Sequence, residues 1–159
     1  MMRRVVFALV LGLLIPGLAA AQAKPDFSGT WALDVAKSDM GMGRAGRAAT
    51  AMRTVTLVLR QTKTQLSIER RAGDRPETAV YKLDGSESVN QLPNGGEVKS
   101  TTTWAGATLV TKSVTVIGGV TVETNDVRSL SADGKVMTLD NTRHTGRGEV
   151  KQKLVYNKQ

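Results

Sequence analysis

The 159-residue chain has no cysteine. Disulfides, thiolate metal sites, a cysteine nucleophile and a lipid-modified N-terminal cysteine are all excluded. Histidine occurs once, at His144. A zinc site or a Ser–His pair would rest on that residue alone, so no catalytic or metal-binding constellation can be assembled and no enzyme is expected. Aromatics make up only 4% of the residues, and the chain ends Tyr156-Asn157-Lys158-Gln159. That is too little for the two aromatic girdles of an outer-membrane barrel. No amphipathic helical stripe of useful length follows Arg53, and no internal repeat of 20–50 residues occurs.

One apolar run stands out. Val5 to Leu18 follows the basic start Met1-Met2-Arg3-Arg4 and precedes Ala19-Ala20-Ala21-Gln22-Ala23. It is shorter than the roughly 20 residues of a membrane span. A basic start, an apolar centre and small residues at the end form the layout of a secretory signal peptide. Cleavage is expected after Ala21 or Ala23, with Ala23 preferred. The chain then divides into a signal peptide over 1–23 and a single domain over 24–159, periplasmic or secreted, not membrane-spanning, and monomeric.

Acidic residues are the scarcer charge: 14 against 22 Lys and Arg, a formal net charge of +8. Losing Arg3 and Arg4 with the leader lowers this by two. Outside the cytoplasm nucleic acid is the least expected polyanion. A plainly solvated basic surface outweighs a dedicated polyanion site, leaving weak contact with anionic envelope components as the partner such a surface suits.

Past residue 50 the composition is that of a sheet, rich in Thr and Val. Strands are predicted over Phe27 to Val35, Thr54 to Thr62, Gln65 to Ala72 and Glu77 to Leu83. Ser86 to Leu92 is weaker, a short edge strand. Glu97 to Trp104, Thr108 to Ile117, Val120 to Ser131, Lys135 to His144 and Glu149 to Asn157 follow. Gly118-Gly119 signals a two-residue hairpin with positive φ at both positions, and Asp133-Gly134 a second of the same type. Ala36 to Met52 interrupts the pattern as a loop or a short poor helix. Consecutive strands joined by tight turns form an antiparallel up-and-down meander. Its exposed edges disappear if Glu149 to Asn157 closes against Phe27 to Val35. The fold class is all-β, a closed barrel of about 8–10 strands.

Phe27-Ser28-Gly29-Thr30-Trp31, with Leu33-Asp34 and Lys37-Ser38, resembles the opening of lipocalin-like and fatty-acid-binding-like proteins, the calycin group, and in particular small exported bacterial lipocalin-like proteins. The resemblance implies that Gly29 and Trp31 are structural, with a late-strand cation across the indole. Arg143 is the expected cation and Arg147 the alternative. It also brings an expectation that fails within the sequence itself. Fatty-acid-binding proteins carry Arg-x-Tyr on the last strand to hold the ligand carboxylate, whereas Leu154-Val155-Tyr156 has leucine where the arginine would stand.

The remaining candidates follow from position. In such a barrel Ala36 to Arg53 joins the first two strands, where a lid would lie. Met40 and Met42 are adaptable apolar groups, and Arg44, Arg47 and Arg53 could meet an anionic headgroup. Trp104 reads as a core or rim aromatic, with lining of the cavity mouth as the alternative, and Tyr156 is a candidate wall residue. Gly41-Met42-Gly43-Arg44-Ala45-Gly46 matches a dinucleotide-binding pattern literally. It lacks the strand–turn–helix context, so no cofactor is expected. The leading function is a binding protein for a small, mainly apolar ligand. The alternative is a filled barrel that acts through its basic surface on envelope lipid or polysaccharide. A continuous apolar cavity of about 300 Å³ or more would favour the first and a filled interior the second.

Overall fold

Alternating apolar and polar residues draw the chain into ten strands: β1 (Gly29–Leu33), β2 (Thr56–Gln61), β3 (Gln65–Arg71), β4 (Glu77–Lys82), β5 (Glu87–Gln91), β6 (Glu97–Ala105), β7 (Thr108–Ile117), β8 (Val120–Leu130), β9 (Val136–Thr145) and β10 (Gly148–Lys158). The structure is a computed structural model that describes residues 24–41, 55–72, 75–93 and 95–159, and no helix occurs among them. The expected signal peptide lies outside the described residues, as does most of the segment joining β1 to β2.

The strands form one antiparallel sheet in the order β4-β3-β2-β1-β10-β9-β8-β7-β6-β5. β1 joins β10 as the meander requires, with Trp31 opposite Lys158 and Leu33 opposite Tyr156. β4 and β5 alone face each other without a backbone ladder. Side chains bridge this seam. Asn90 accepts from the Val80 N–H at 2.8 Å and donates to the Val80 carbonyl at 3.0 Å, and Ser88 Oγ accepts from the Lys82 N–H at 2.9 Å. The short β5 is thus an edge strand whose polar side chains occupy the donors and acceptors of β4.

Turns on alternate strands gather at opposite ends. At one end the interior is packed solid around Phe27, Trp31, Leu59, Leu66, Leu109 and Met137, all almost wholly buried. Trp31 Nε1 donates to the Phe27 carbonyl at 2.9 Å, which satisfies the one polar atom of the indole. The cation over this indole is Lys158, its Nζ 5.3 Å from the ring centroid. Arg143 and Arg147, expected in that role, lie towards the opposite end of the barrel: β9 leaves the packed end before it reaches them. Gly29 is required by the same contact. A Cβ there would come within 2.7 Å of Lys158 Cε, so Gly-x-Trp leaves the space in which the lysine stem crosses the ring.

The opening stretch also clamps the barrel shut. Ser38 Oγ donates to the Asp34 carbonyl at 2.7 Å and accepts from the Val155 N–H at 2.9 Å. The Asp34 carboxylate accepts from Asn157 Nδ2 at 3.0 Å, and Asp39 forms an isolated bridge with Lys153. Gly41 lies so close to β10 that a Cβ would stand 2.6 Å from the Lys151 carbonyl oxygen. Packing accounts for this first glycine of the G-x-G-x-x-G string.

The two glycine turns differ. Gly118 and Gly119 have φ of 58° and 78°, as a type I′ hairpin needs. At Asp133-Gly134 only the glycine is positive (67°). The Gly134 N–H bonds to the Ser131 carbonyl, and the loop runs on to Lys135. An aspartate avoids positive φ when its side chain can accept from Ser131 Oγ and the Lys135 N–H, at 2.6 and 3.1 Å.

These contacts make the fold sensitive to acid. Hydrogen bonds from Asn157 and Lys37 hold Asp34 below its ordinary value of 3.8, and those from Ser131 and Lys135 do the same for Asp133. A carboxylate whose folded value is depressed contributes stability above its unfolded value and loses it as pH falls through the folded one. Denaturant midpoints are therefore expected to hold down to about pH 4 and fall below it. Asp34→Asn, which cannot titrate, should flatten that fall; an identical acid profile for the variant would remove Asp34 from the account.

Candidate functional site

The other half of the barrel is hollow. A cavity of about 460 Å³ opens at the end that carries the β3–β4, β5–β6 and β9–β10 turns. This is the volume that distinguishes a container from a filled barrel. Its two sides differ. β2, β3 and β4 contribute Leu57, Ile68, Ala79 and Tyr81. β8, β9 and β10 contribute Leu139, Leu154 and Tyr156, but also Asp126, Arg128, Asn141, Arg143 and Gln152. Leu92 and Pro93 of the β5–β6 turn and the exposed Arg70–Glu77 pair, 3.8 Å apart, stand at the mouth.

The polar side is built by strand register. Gln152, Asn141, Asp126, Thr111 and Thr102 pair in succession across β10, β9, β8, β7 and β6, so they form one inward row. Arg128, only 6% exposed, follows Asp126 on the same face. Its guanidinium donates to Asp126 Oδ2 at 3.1 Å and to Thr111 Oγ1 at 3.4 Å. Thr111 Oγ1 lies 3.0 Å from Thr102 Oγ1, and Asn141 Nδ2 donates to Asp126 Oδ1 at 2.5 Å. Both carboxylate oxygens of Asp126 are thus engaged, and one face of the guanidinium is neutralised. Asn141 Oδ1 is buried without a hydrogen-bond partner among the described residues, a cost of about 1–3 kcal/mol.

Two phenols line the cavity, Tyr81 from the β2–β4 side and Tyr156 from β10. Burial pushes the hydroxyls of Tyr81 and Tyr156 above their ordinary value of 10, so both stay neutral donors. A neutral hydroxyl on an apolar wall can orient a ligand without the desolvation cost of an ion.

Of the residues singled out from sequence, Tyr156 lines the cavity. Met40 packs against the core, and its carbonyl accepts from the wall residue Gln152 at 2.7 Å. Arg143 lines the cavity instead of covering Trp31. Trp104 is not on the wall. It sits at the packed end, tilted against Phe27 with ring centroids 6.1 Å apart and with Lys24 Nζ 5.6 Å from its ring. β6 runs from the mouth to the packed end, so its last residues cannot reach the mouth. Met42, Arg44, Arg47 and Arg53 lie outside the described residues. His144 is on the outer face, more than half exposed, with Nδ1 3.5 Å from a Glu149 carboxylate oxygen. No group of residues that could hold a metal ion occurs among the described residues. Sequence reasoning missed Arg128, Asp126, Asn141 and Tyr81. The spacing of Asp126 and Arg128, two charges on one face of a predicted strand, was the available signal.

No family model matches the chain, and no curated protein matches it in sequence. Solved structures do share its fold. Zebrafish ileal bile acid-binding protein in complex with cholic acid superposes with a TM-score of 0.60 at 13% identity, over 84% of this chain and 98% of that one. The REP1-NXSQ fatty acid transporter gives 0.61 at 15% identity, over 84% and 96%. The chain therefore has the ten-stranded, nearly closed calycin-type barrel that the opening Gly-x-Trp stretch resembles.

Proposed function

We propose that the protein binds a small, mainly apolar ligand inside the barrel and carries polar groups of that ligand along one side. The cavity of about 460 Å³ supports this reading, since the filled barrel of the competing reading would have no such space. Its walls suggest the ligand's form: an apolar skeleton against Leu57, Ile68 and Ala79, with hydroxyl or acid groups towards Tyr81, Tyr156 and the β8–β10 side. The fold neighbours' printed ligands, a bile acid and a fatty acid, are of this general kind. Leu154 in place of an arginine argues against a carboxylate held from the last strand. Binding rather than catalysis fits a wall with no histidine. The leader-like residues 1–23 are the ground for proposing that the protein works in the periplasm or outside the cell.

Native mass spectrometry of the protein from its own host, before and after organic extraction, tests this. A discrete mass loss on extraction, with rebinding of the extract, is the expected result. A bare polypeptide mass with no uptake of an apolar probe dye would overturn it.

A further inference from the structure

The β7–β8 hairpin is longer than its neighbours require. β6 pairs with β7 only from Thr115 onward into the barrel, and β9 pairs with β8 only from Glu123. The last two pairs, Val116 with Thr121 and Ile117 with Val120, have neither strand beside them. They stand out as a two-stranded ribbon ending in Gly118-Gly119. Three of its four paired side chains are apolar and open to solvent: Val116 is 60% exposed, Ile117 52% and Val120 45%, with Thr121 the fourth. An exposed cluster of this kind marks a contact surface. By strand direction the ribbon sits at the cavity mouth, beside the β5–β6 turn. Gly146 of the β9–β10 turn also approaches it: a Cβ there would meet Val120 Cγ1 at 3.7 Å.

Charge around the ribbon selects the partner. Arg147 lies in the turn that touches Val120, and Lys99 pairs across from Val114, itself 46% exposed. Arg143 and Lys112 belong to the same half of the barrel, and none of these four cations has an ion-pair partner among the described residues. The carboxylates of that half are Glu69 and Glu77, paired with Arg71 and Arg70, Asp126, paired with Arg128, Glu149, held by Lys151 at 3.0 Å, Glu97, which accepts from Gln91, and Glu123; the last two leave the four cations in excess. Apolar tips flanked by uncompensated cations suit a surface with anionic headgroups above an apolar layer. We propose that the β7–β8 hairpin docks the open end of the barrel on an anionic lipid bilayer, with Val116, Ile117 and Val120 at the acyl boundary and Arg147 among the headgroups. A ligand of low water solubility would then pass between bilayer and cavity without crossing bulk water. Docking itself does not require that the cavity carry a ligand, so it can fail or succeed separately.

The test is co-sedimentation of the extracted, ligand-free protein with vesicles containing phosphatidylglycerol, compared with phosphatidylcholine alone. Affinity for the anionic vesicles is expected to be at least about tenfold higher. Ile117→Ser with Val120→Ser should lower it by about tenfold, and Arg147→Gln by about fivefold with a weaker salt dependence. These positions are exposed, so unfolding midpoints should not move. Unchanged vesicle affinity in the serine variant would overturn the proposal. So would equal affinity for neutral vesicles. So would a concentration-dependent dimer that the serine variant abolishes, since a second copy would then cover the ribbon.

Discussion

Trp31→Ala lowers the unfolding free energy by about 3–5 kcal/mol in a denaturant titration. The indole is fully buried, and its removal takes three supports at once. The void left behind lies in the buried cluster that includes Phe27, Leu57 and Leu59, and the strand pairing of Leu57 and Leu59 in β2 limits how far that cluster can collapse into it. The Phe27 carbonyl loses its donor, and Lys158 loses the ring over which its ammonium sits, worth about 0.5–1 kcal/mol at an exposed position. Trp31→Phe should recover most of the packing but not the hydrogen bond, so a cost of about 1–2 kcal/mol is expected for it. Near-equal costs for alanine and phenylalanine would mean that the hydrogen bond to Phe27, not the volume, fixes this end. Lys158→Met should cost under about 1 kcal/mol, because its stem can still cross Gly29 and the ring.

The packed end was the legible part of the molecule. Phe27, Gly29 and Trp31 lie within five residues, and their geometry depends mostly on one another. The turns at Gly118-Gly119 and at residues 105–107 set strand lengths, and strand count with tight turns demanded closure of β10 on β1. Lys158 is not legible because the strand pattern in the sequence stops at Asn157, while β10 continues one residue further. Of the two readings of Trp104 the core one holds and the mouth one does not, because every even-numbered strand from β2 to β10, β6 included, ends at the packed end. The cavity wall was harder for a physical reason. In β8 both faces mix polar and apolar residues, Val122, Thr124, Asp126 and Arg128 inward, Thr121, Glu123, Asn125 and Val127 outward. Hydrophobic alternation therefore does not choose between two registers that differ by one residue. What selects the observed register is mutual compensation: Arg128 can be buried because Asp126 and Thr111 accept its hydrogen bonds, and that depends on β7, over fifteen residues away.

Arg128→Ala is the second large effect. It is expected to cost about 3 kcal/mol, the lower end of the range for one member of a buried pair, since the cavity lets water reach Asp126. The loss comes less from the contact than from what remains. Asp126 would be left beside Leu139 and Tyr156 with Asn141 as its one donor. Asp126→Asn with Arg128→Met removes both charges, keeps an acceptor for Asn141 and covers the apolar wall with a flexible side chain. This double variant should regain most of the lost stability. A cost under about 1 kcal/mol for Arg128→Ala alone would show that the pair is already hydrated and does not hold the wall. The double variant also separates structure from binding. If it folds like the parent but loses affinity for the extracted ligand, the pair meets the ligand's polar groups directly. If affinity is retained, Arg128 and Asp126 serve only to let a charged row line an otherwise apolar chamber, and the ligand's polar groups must be met by Tyr81 and Tyr156.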